Sequence, residues 1–170
     1  RLSYEAIVTF YIYRIREIES DDERYINAVI ALNAAAITRA RMLDELRSGG
    51  TNVDADSIFG MPVLLKDNIG FDGLPTTAGA VALRENMTGN AFITDRLEEQ
   101  GAIILGKTNT PEFGLSGTTE TKVGGPGRNP WNPERTSGGS SGGAAARSLH
   151  RPHRAGADRC TCSSSDRASN

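Results

Sequence analysis

Gly60-Met61-Pro62-Val63-Leu64-Leu65-Lys66-Asp67-Asn68 is where the apolar pattern of this chain stops being helical. Met61 to Leu65 is a continuous apolar run between Gly60 and the polar Lys66-Asp67-Asn68, and such a run fits a strand buried on both faces. A second run, Ala102-Ile103-Ile104-Leu105-Gly106, ends on Lys107-Thr108-Asn109. Between the two, Asp72 to Gly79 has the chemistry of a loop. Ala91 to Gln100 then reads as a helix with Phe92, Ile93 and Leu97 turned inward, broken by Gly101. Strand, long crossover with a helix, strand is a parallel βαβ unit, so the expected fold class is α/β. Open sheets of this class collect ligands at the carboxyl ends of their strands. Lys66 and Lys107 both fall there.

Upstream, Ile7, Tyr11, Ile15 and Ile18 recur three or four apart, with Val8 and Ile12 widening the stripe, which predicts an amphipathic helix from Leu2 to Ile18. Ser3 is its expected N-cap and Asp21-Asp22 its expected end. A short apolar piece, Ile26 to Leu32, leads to Asn33, the expected cap of a second helix through Arg47. Ala36, Ala40 and Leu43 supply that helix's inner face and Gly49-Gly50 its stop. Both helices read as scaffold.

Composition narrows the function classes. The chain has 170 residues, 38% hydrophobic and 24% charged, enough for one ordinary domain core. A formal net charge of −2 gives no attraction for nucleic acid or an anionic membrane. Aromatics make up 6%, with no basic run interleaved as a base-stacking platform needs. The longest apolar run, Ala6 to Ile15, is interrupted at Arg14 and is too short to span a bilayer. Cys160 and Cys162 are too close for an ordinary disulfide framework, which favours a reducing, cytoplasmic compartment.

Ser137-Gly138-Gly139-Ser140-Ser141-Gly142-Gly143-Ala144-Ala145-Ala146 is the second informative stretch. Its glycines permit a sharp reversal, a cluster of backbone N–H groups and close approach by another segment. The same residues make flexible linkers, but the alanines that follow open a helix. A phosphate cradle is disfavoured. No Lys-Ser or Lys-Thr follows Gly142-Gly143, and Gly124-Gly125-Pro126-Gly127 has a proline where a phosphate turn needs a free N–H.

A lysine at the end of a buried strand is ordinarily a solvated or ion-paired ammonium, here with Asp67 as the adjacent partner. Desolvated, it becomes a base. Lys66 suits that role better than Lys107, having an unbroken apolar strand before it and polar residues after it. Lys107-Thr108-Asn109 also reads as a structural corner, with Thr110-Pro111 opening a short helix at Glu112-Phe113.

Taken in order, Gly60 to Asn68, Thr76-Thr77-Ala78-Gly79, Gly101 to Asn109, Asn129-Pro130-Trp131-Asn132 and Gly138-Gly139-Ser140-Ser141-Gly142-Gly143 resemble successive landmarks of the amidase signature family. The resemblance runs over about residues 1–146 and implies the N-terminal, incomplete part of a mixed sheet flanked by helices. It implies Lys66 as base and Ser140, behind a cis peptide bond, as the hydroxyl bridging that base to a nucleophilic serine. Ser141, Gly138 and Gly139 become supporting or substrate-binding residues. The implied reaction is acyl transfer from a small-molecule amide, without metal or organic cofactor. An assembly role, as in the glutaminase-like subunit of a tRNA-dependent amidotransferase, is the alternative. The resemblance leaves oligomeric state and substrate choice open.

Family members continue with a Gly-Thr-Asp-x-Gly-Gly-Ser stretch that carries the nucleophile, and residues 147–170 contain nothing similar. We therefore expect this segment to be a non-family tail, disordered or out of frame, the nucleophile to be absent and the polypeptide to turn over amides poorly. An incomplete sheet is also expected to leave unpaired edges. His150, His153, Cys160 and Cys162 do not have the spacing of the usual zinc patterns. Ser163, Ser164 and Ser165 lie near the family's nucleophile position but lack the flanking glycines of an oxyanion hole.

Overall fold

The structure, a computed structural model, describes residues 2–19, 25–54 and 56–149. Three strands form a mixed sheet in the order β1-β3-β2, from β1 (Val29–Leu32), β2 (Pro62–Lys66) and β3 (Ile103–Thr108). β2 and β3 run parallel, as the crossover pattern requires, while β1 lies antiparallel on the other side of β3. β3 is buried along its whole length. β2 is not: only Leu65 is fully buried, because among the described residues β2 pairs with β3 alone. The expectation of burial on both faces therefore holds for the central strand and fails for its neighbour.

Helices α1 (Tyr4–Glu19) and α2 (Ala36–Ser48) cover one face of the sheet. Val8, Ile12 and Ile15 meet Ala36, Ala40 and Leu43 there, over Ile103 and Leu105. The small alanines let the two helix axes approach closely. The inward face of α1 centres on Val8, Ile12, Ile15 and Ile18, whereas Tyr11, expected inside, is 43% exposed. Ser3 Oγ accepts the Ala6 N–H at 3.1 Å as the predicted cap. A second cap comes from α2, where the Asp44 carboxylate accepts the N–H groups of Tyr4 and Glu5 at 2.9 and 3.0 Å. Asn33 does not cap α2. Its Oδ1 accepts the Ala35 N–H two residues on, its Nδ2 ties the turn to the Ile104 carbonyl, and α2 starts beyond it. Asp21-Asp22, the expected end of α1, lies outside the described residues.

The opposite face is covered by α3 (Phe92–Glu99), with Leu97 set against Leu65, Phe71 and Ile104. Phe92 and Ile93, expected inward, are 75% and 55% exposed. Thr94 decides this: it is buried, and its hydroxyl donates to the Gly70 carbonyl at 2.7 Å, which rotates the two apolar residues outward. A hairpin of β4 (Arg128–Asn129) and β5 (Asn132–Thr136) follows, then α4 (Gly142–Leu149), which starts at the alanine-rich stretch as expected. Gly106 allows β1 to approach β3. A Cβ there would lie 2.1 Å from the Ala31 carbonyl oxygen.

Candidate active site

Lys66 closes β2 and Ser140 stands two residues before α4, 74 residues further along the chain. Their side chains meet, with Lys66 Nζ donating to Ser140 Oγ at 2.7 Å. The Gly139–Ser140 peptide bond is cis.

The loop that presents Ser140 is packed rather than free. The Gly138 carbonyl accepts the Thr119 hydroxyl, and the Ser140 carbonyl accepts the Thr110 hydroxyl at 3.1 Å. A Cβ on Gly139 would lie 2.6 Å from the Ser116 carbonyl oxygen, and one on Gly143 would lie 2.6 Å from both N and O of Asn109. These contacts explain why a Gly/Ser stretch is held still here. Ser141 is exposed at the entry to α4, where its carbonyl accepts the Ala145 N–H. Across from the pair, Gly114 comes close enough that a Cβ on it would lie 3.7 Å from Ser140 Oγ and 3.8 Å from Lys66 Nζ. Thr110, read from sequence only as part of a helix start, and Thr119 and Gly114 were not singled out as site residues; single hydroxyls and a lone glycine carry no local pattern that marks that role.

Lys107, the alternative lysine, is the more deeply buried of the two, fully enclosed at 0% exposure. Its Nζ lies 3.4 Å from Asp67 Oδ1 and donates to the Ile69 carbonyl at 2.5 Å and the Thr76 hydroxyl at 3.1 Å. Burial pushes the Lys107 ammonium below its ordinary value of 10.5, and the Asp67 carboxylate partly offsets the shift. Asp67 also accepts from the Thr77 hydroxyl and from its N–H. The adjacent partner considered for Lys66 is thus taken up by Lys107.

A cavity of about 420 Å³ lies elsewhere, lined among others by Glu19, Tyr25, Asn27, Asp67, Arg84 and Gly124. Neither Lys66 nor Ser140 lines it, so the chemistry and this hollow do not coincide; the hydrogen-bonded pair, not the hollow, defines the candidate site. Among the described residues no group of three or more His, Cys, Asp or Glu is placed to hold a metal ion. No helix of the described residues is long and apolar enough to cross a membrane. His150, His153, Cys160, Cys162 and Ser163 to Ser165 lie outside the described residues.

The family model described as Amidase matches residues 6–147. The acylamidase of Rhodococcus erythropolis is 42% identical over 123 residues, covering 71% of this chain and 25% of the relative. A glutamyl-tRNA(Gln) amidotransferase subunit of Saccharolobus solfataricus is 37% identical over 137 residues, covering 80% of this chain and 27% of the relative. Among solved structures, native peptide amidase from Stenotrophomonas maltophilia superposes with a TM-score of 0.80 at 33% identity, covering 85% of this chain and 30% of that one. The chain therefore spans between 25% and 30% of the length of these relatives.

Proposed function

The chain belongs to the amidase family, and from that premise we propose that it contributes the base and the bridging hydroxyl of a proton relay for amide hydrolysis. Lys66 is the base and Ser140 the bridge. The observation that carries this reading is the 2.7 Å contact between Lys66 Nζ and Ser140 Oγ.

The relay works in both directions. A nucleophilic serine loses its proton to Ser140 Oγ while Ser140 passes its own to an uncharged Lys66, and the new alkoxide attacks the amide carbonyl. The tetrahedral adduct collapses when the proton returns from Lys66 through Ser140 to the leaving nitrogen. Water, deprotonated by the same route, then releases the acid. Gly138 and Gly139 shape the loop, and Ser141 is a supporting hydroxyl. The resemblance places the nucleophile in a stretch with no counterpart in residues 147–170. A polypeptide of these 170 residues is therefore expected to release little or no ammonia from simple amides, and ammonia release abolished by Lys66→Ala refutes that expectation.

The roles of Lys66 and Ser140 are tested in a chimera in which residues 6–147 replace the matching segment of the Rhodococcus acylamidase. Lys66→Ala and Ser140→Ala should each lower kcat/KM for a small amide by about 10²–10⁴-fold, the usual contribution of general acid–base catalysis. Parental activity in either variant rejects the assignment. A second reading, as part of an amidotransferase assembly, is favoured by the amidotransferase relatives. Co-purification with partner subunits supports it, and a monomer that binds none excludes it.

A further inference from the structure

We propose that Lys107 is a positioning residue for the Lys66–Ser140 pair, its buried ammonium fixing the segment just after Lys66 so that Lys66 is committed to the face of the sheet where Ser140 stands. The inference rests on the relay proposed above.

Its basis is the direction of every tie that Lys107 makes. The three groups around its Nζ, the Asp67 carboxylate, the Ile69 carbonyl and the Thr76 hydroxyl, all belong to the ten residues that follow Lys66. Stability alone is a poor reason for the arrangement, since a buried ion pair offers little that apolar residues of similar volume do not. Strand geometry gives a better one. Successive side chains of a strand point to opposite faces, and in the parallel register Leu65 lies opposite Lys107 while Lys66 lies opposite Thr108. Leu65, Asp67 and Lys107 therefore share one face, and Lys66 takes the other. Pinning Asp67 to Lys107 excludes the alternative in which the end of β2 turns over and Lys66 pairs with buried acceptors on the α3 side.

The backbone around Lys66 is also held from its flanks: Lys66 pairs with Thr108 in the β2–β3 ladder, the Leu65 carbonyl accepts the Thr108 hydroxyl at 3.4 Å, and the Asp67 carbonyl accepts the Ala78 N–H at 2.9 Å. Asp67 N–H donates to the Thr108 carbonyl at 3.1 Å, and Ile69 N–H donates to the Lys66 carbonyl at 2.9 Å. Both bonds lie next to the groups that Lys107 gathers. Release of the Lys107 ties leaves the turn immediately beyond Lys66 held by backbone bonds and by Thr77 alone, without the charged anchor on its α3 side, and the 2.7 Å contact with Ser140 depends on where that turn holds the lysine.

The chain's lysines are Lys66, Lys107 and Lys122, so lysine labelled with ¹³C at Cε gives one NMR signal for each. In the otherwise unchanged chain, Ser140→Ala should shift the Lys66 signal and leave Lys122 in place. In Lys107→Met, the Lys66 signal should move to the position of exposed Lys122 and lose its response to Ser140→Ala, while the amide spectrum stays dispersed. Asp67→Asn with Lys107→Met removes both charges, avoids an unpaired buried carboxylate if the single variant fails to fold, and should displace Lys66 in the same way. A Lys66 signal that keeps its position and its response to Ser140 in a folded variant overturns the positioning role, because a residue needed only for stability would leave it there. No response to Ser140→Ala in the unaltered Lys107 background removes the relay itself, and the positioning role with it.

Discussion

Gly143→Ala separates helix propensity from packing. On propensity alone, alanine in the first turn of α4 should stabilise the chain by about 0.8–1 kcal/mol relative to glycine. The surroundings predict the opposite. A Cβ at position 143 would lie 2.6 Å from Asn109 N, 2.6 Å from Asn109 O and 2.8 Å from Ala28 O. All three are backbone atoms, and the Asn109 N–H donates to the Ala28 carbonyl at 2.9 Å, so neither side yields without breaking that bond. Ordinary carbon contacts need about 3.5 Å, so the start of α4 must retreat by about 0.9 Å. Ser140 lies three residues upstream, and a retreat of that size, carried fully to Ser140, lengthens its 2.7 Å contact with Lys66 to at most about 3.6 Å, beyond useful hydrogen bonding. Overpacking of this kind costs about 1–3 kcal/mol. Urea denaturation of Gly143→Ala against wild type measures it, with Gly117→Ala as control, since a Cβ there meets nothing within 4 Å. A Gly143→Ala chain as stable as wild type, or more so, refutes the claim that the glycines of this loop exist for contact.

Other predictions concern the buried charges and the helix cap. Lys107→Met leaves the Asp67 carboxylate unpaired and should cost about 3–5 kcal/mol, most of it recovered by adding Asp67→Asn; equal stability of single and double variants in urea counts against a true ion pair. Because the folded chain holds Lys107 below 10.5, the unfolded chain binds more protons between the folded value and 10.5. Wild-type stability should therefore gain from this group as pH rises through that window. Tyr25, raised above 10.0 chiefly by burial, acts in the opposite sense at higher pH, so the pH slope is read as the difference between wild type and Lys107→Met; no difference rejects the assignment. Asp44→Ala removes the acceptor for the first two N–H groups of α1 and should cost about 1–2 kcal/mol, seen as a lower urea midpoint with an unchanged slope.

The parts of the fold legible in the sequence are those set by local pattern. The parallel β2–β3 pair, the crossover helix, the short turn after Thr110-Pro111 and the helix that opens at Gly142-Gly143 follow from apolar runs and their breakers. Details that depend on distant partners were not legible. Which face of α3 turns inward is set by the Thr94 hydroxyl reaching Gly70, and the role of Asn33 by a carbonyl on β3, neither of which leaves a trace in local periodicity. β2 looks doubly buried by composition because the sequence records which residues tolerate burial, not how many strands cover them. At the site, the Lys66 and Ser140 positions came from the family resemblance, while physics separated Lys66 from Lys107 only weakly. Burial favours Lys107, and it is the contact with Ser140 that singles out Lys66. Thr110 and Thr119 hold the loop through single hydroxyls, a role with no sequence signature.

The shared hydrogen bond between an amine at the end of β2 and a hydroxyl before α4 is best measured by a double-mutant cycle in denaturant. Lys66→Met, Ser140→Ala and the combined variant isolate the energy of that one contact. An intramolecular hydrogen bond contributes about 0.5–1.5 kcal/mol net, so a coupling of about 1 kcal/mol is expected. Strictly additive losses, with a coupling indistinguishable from zero, would mean that Lys66 and Ser140 do not act as a pair.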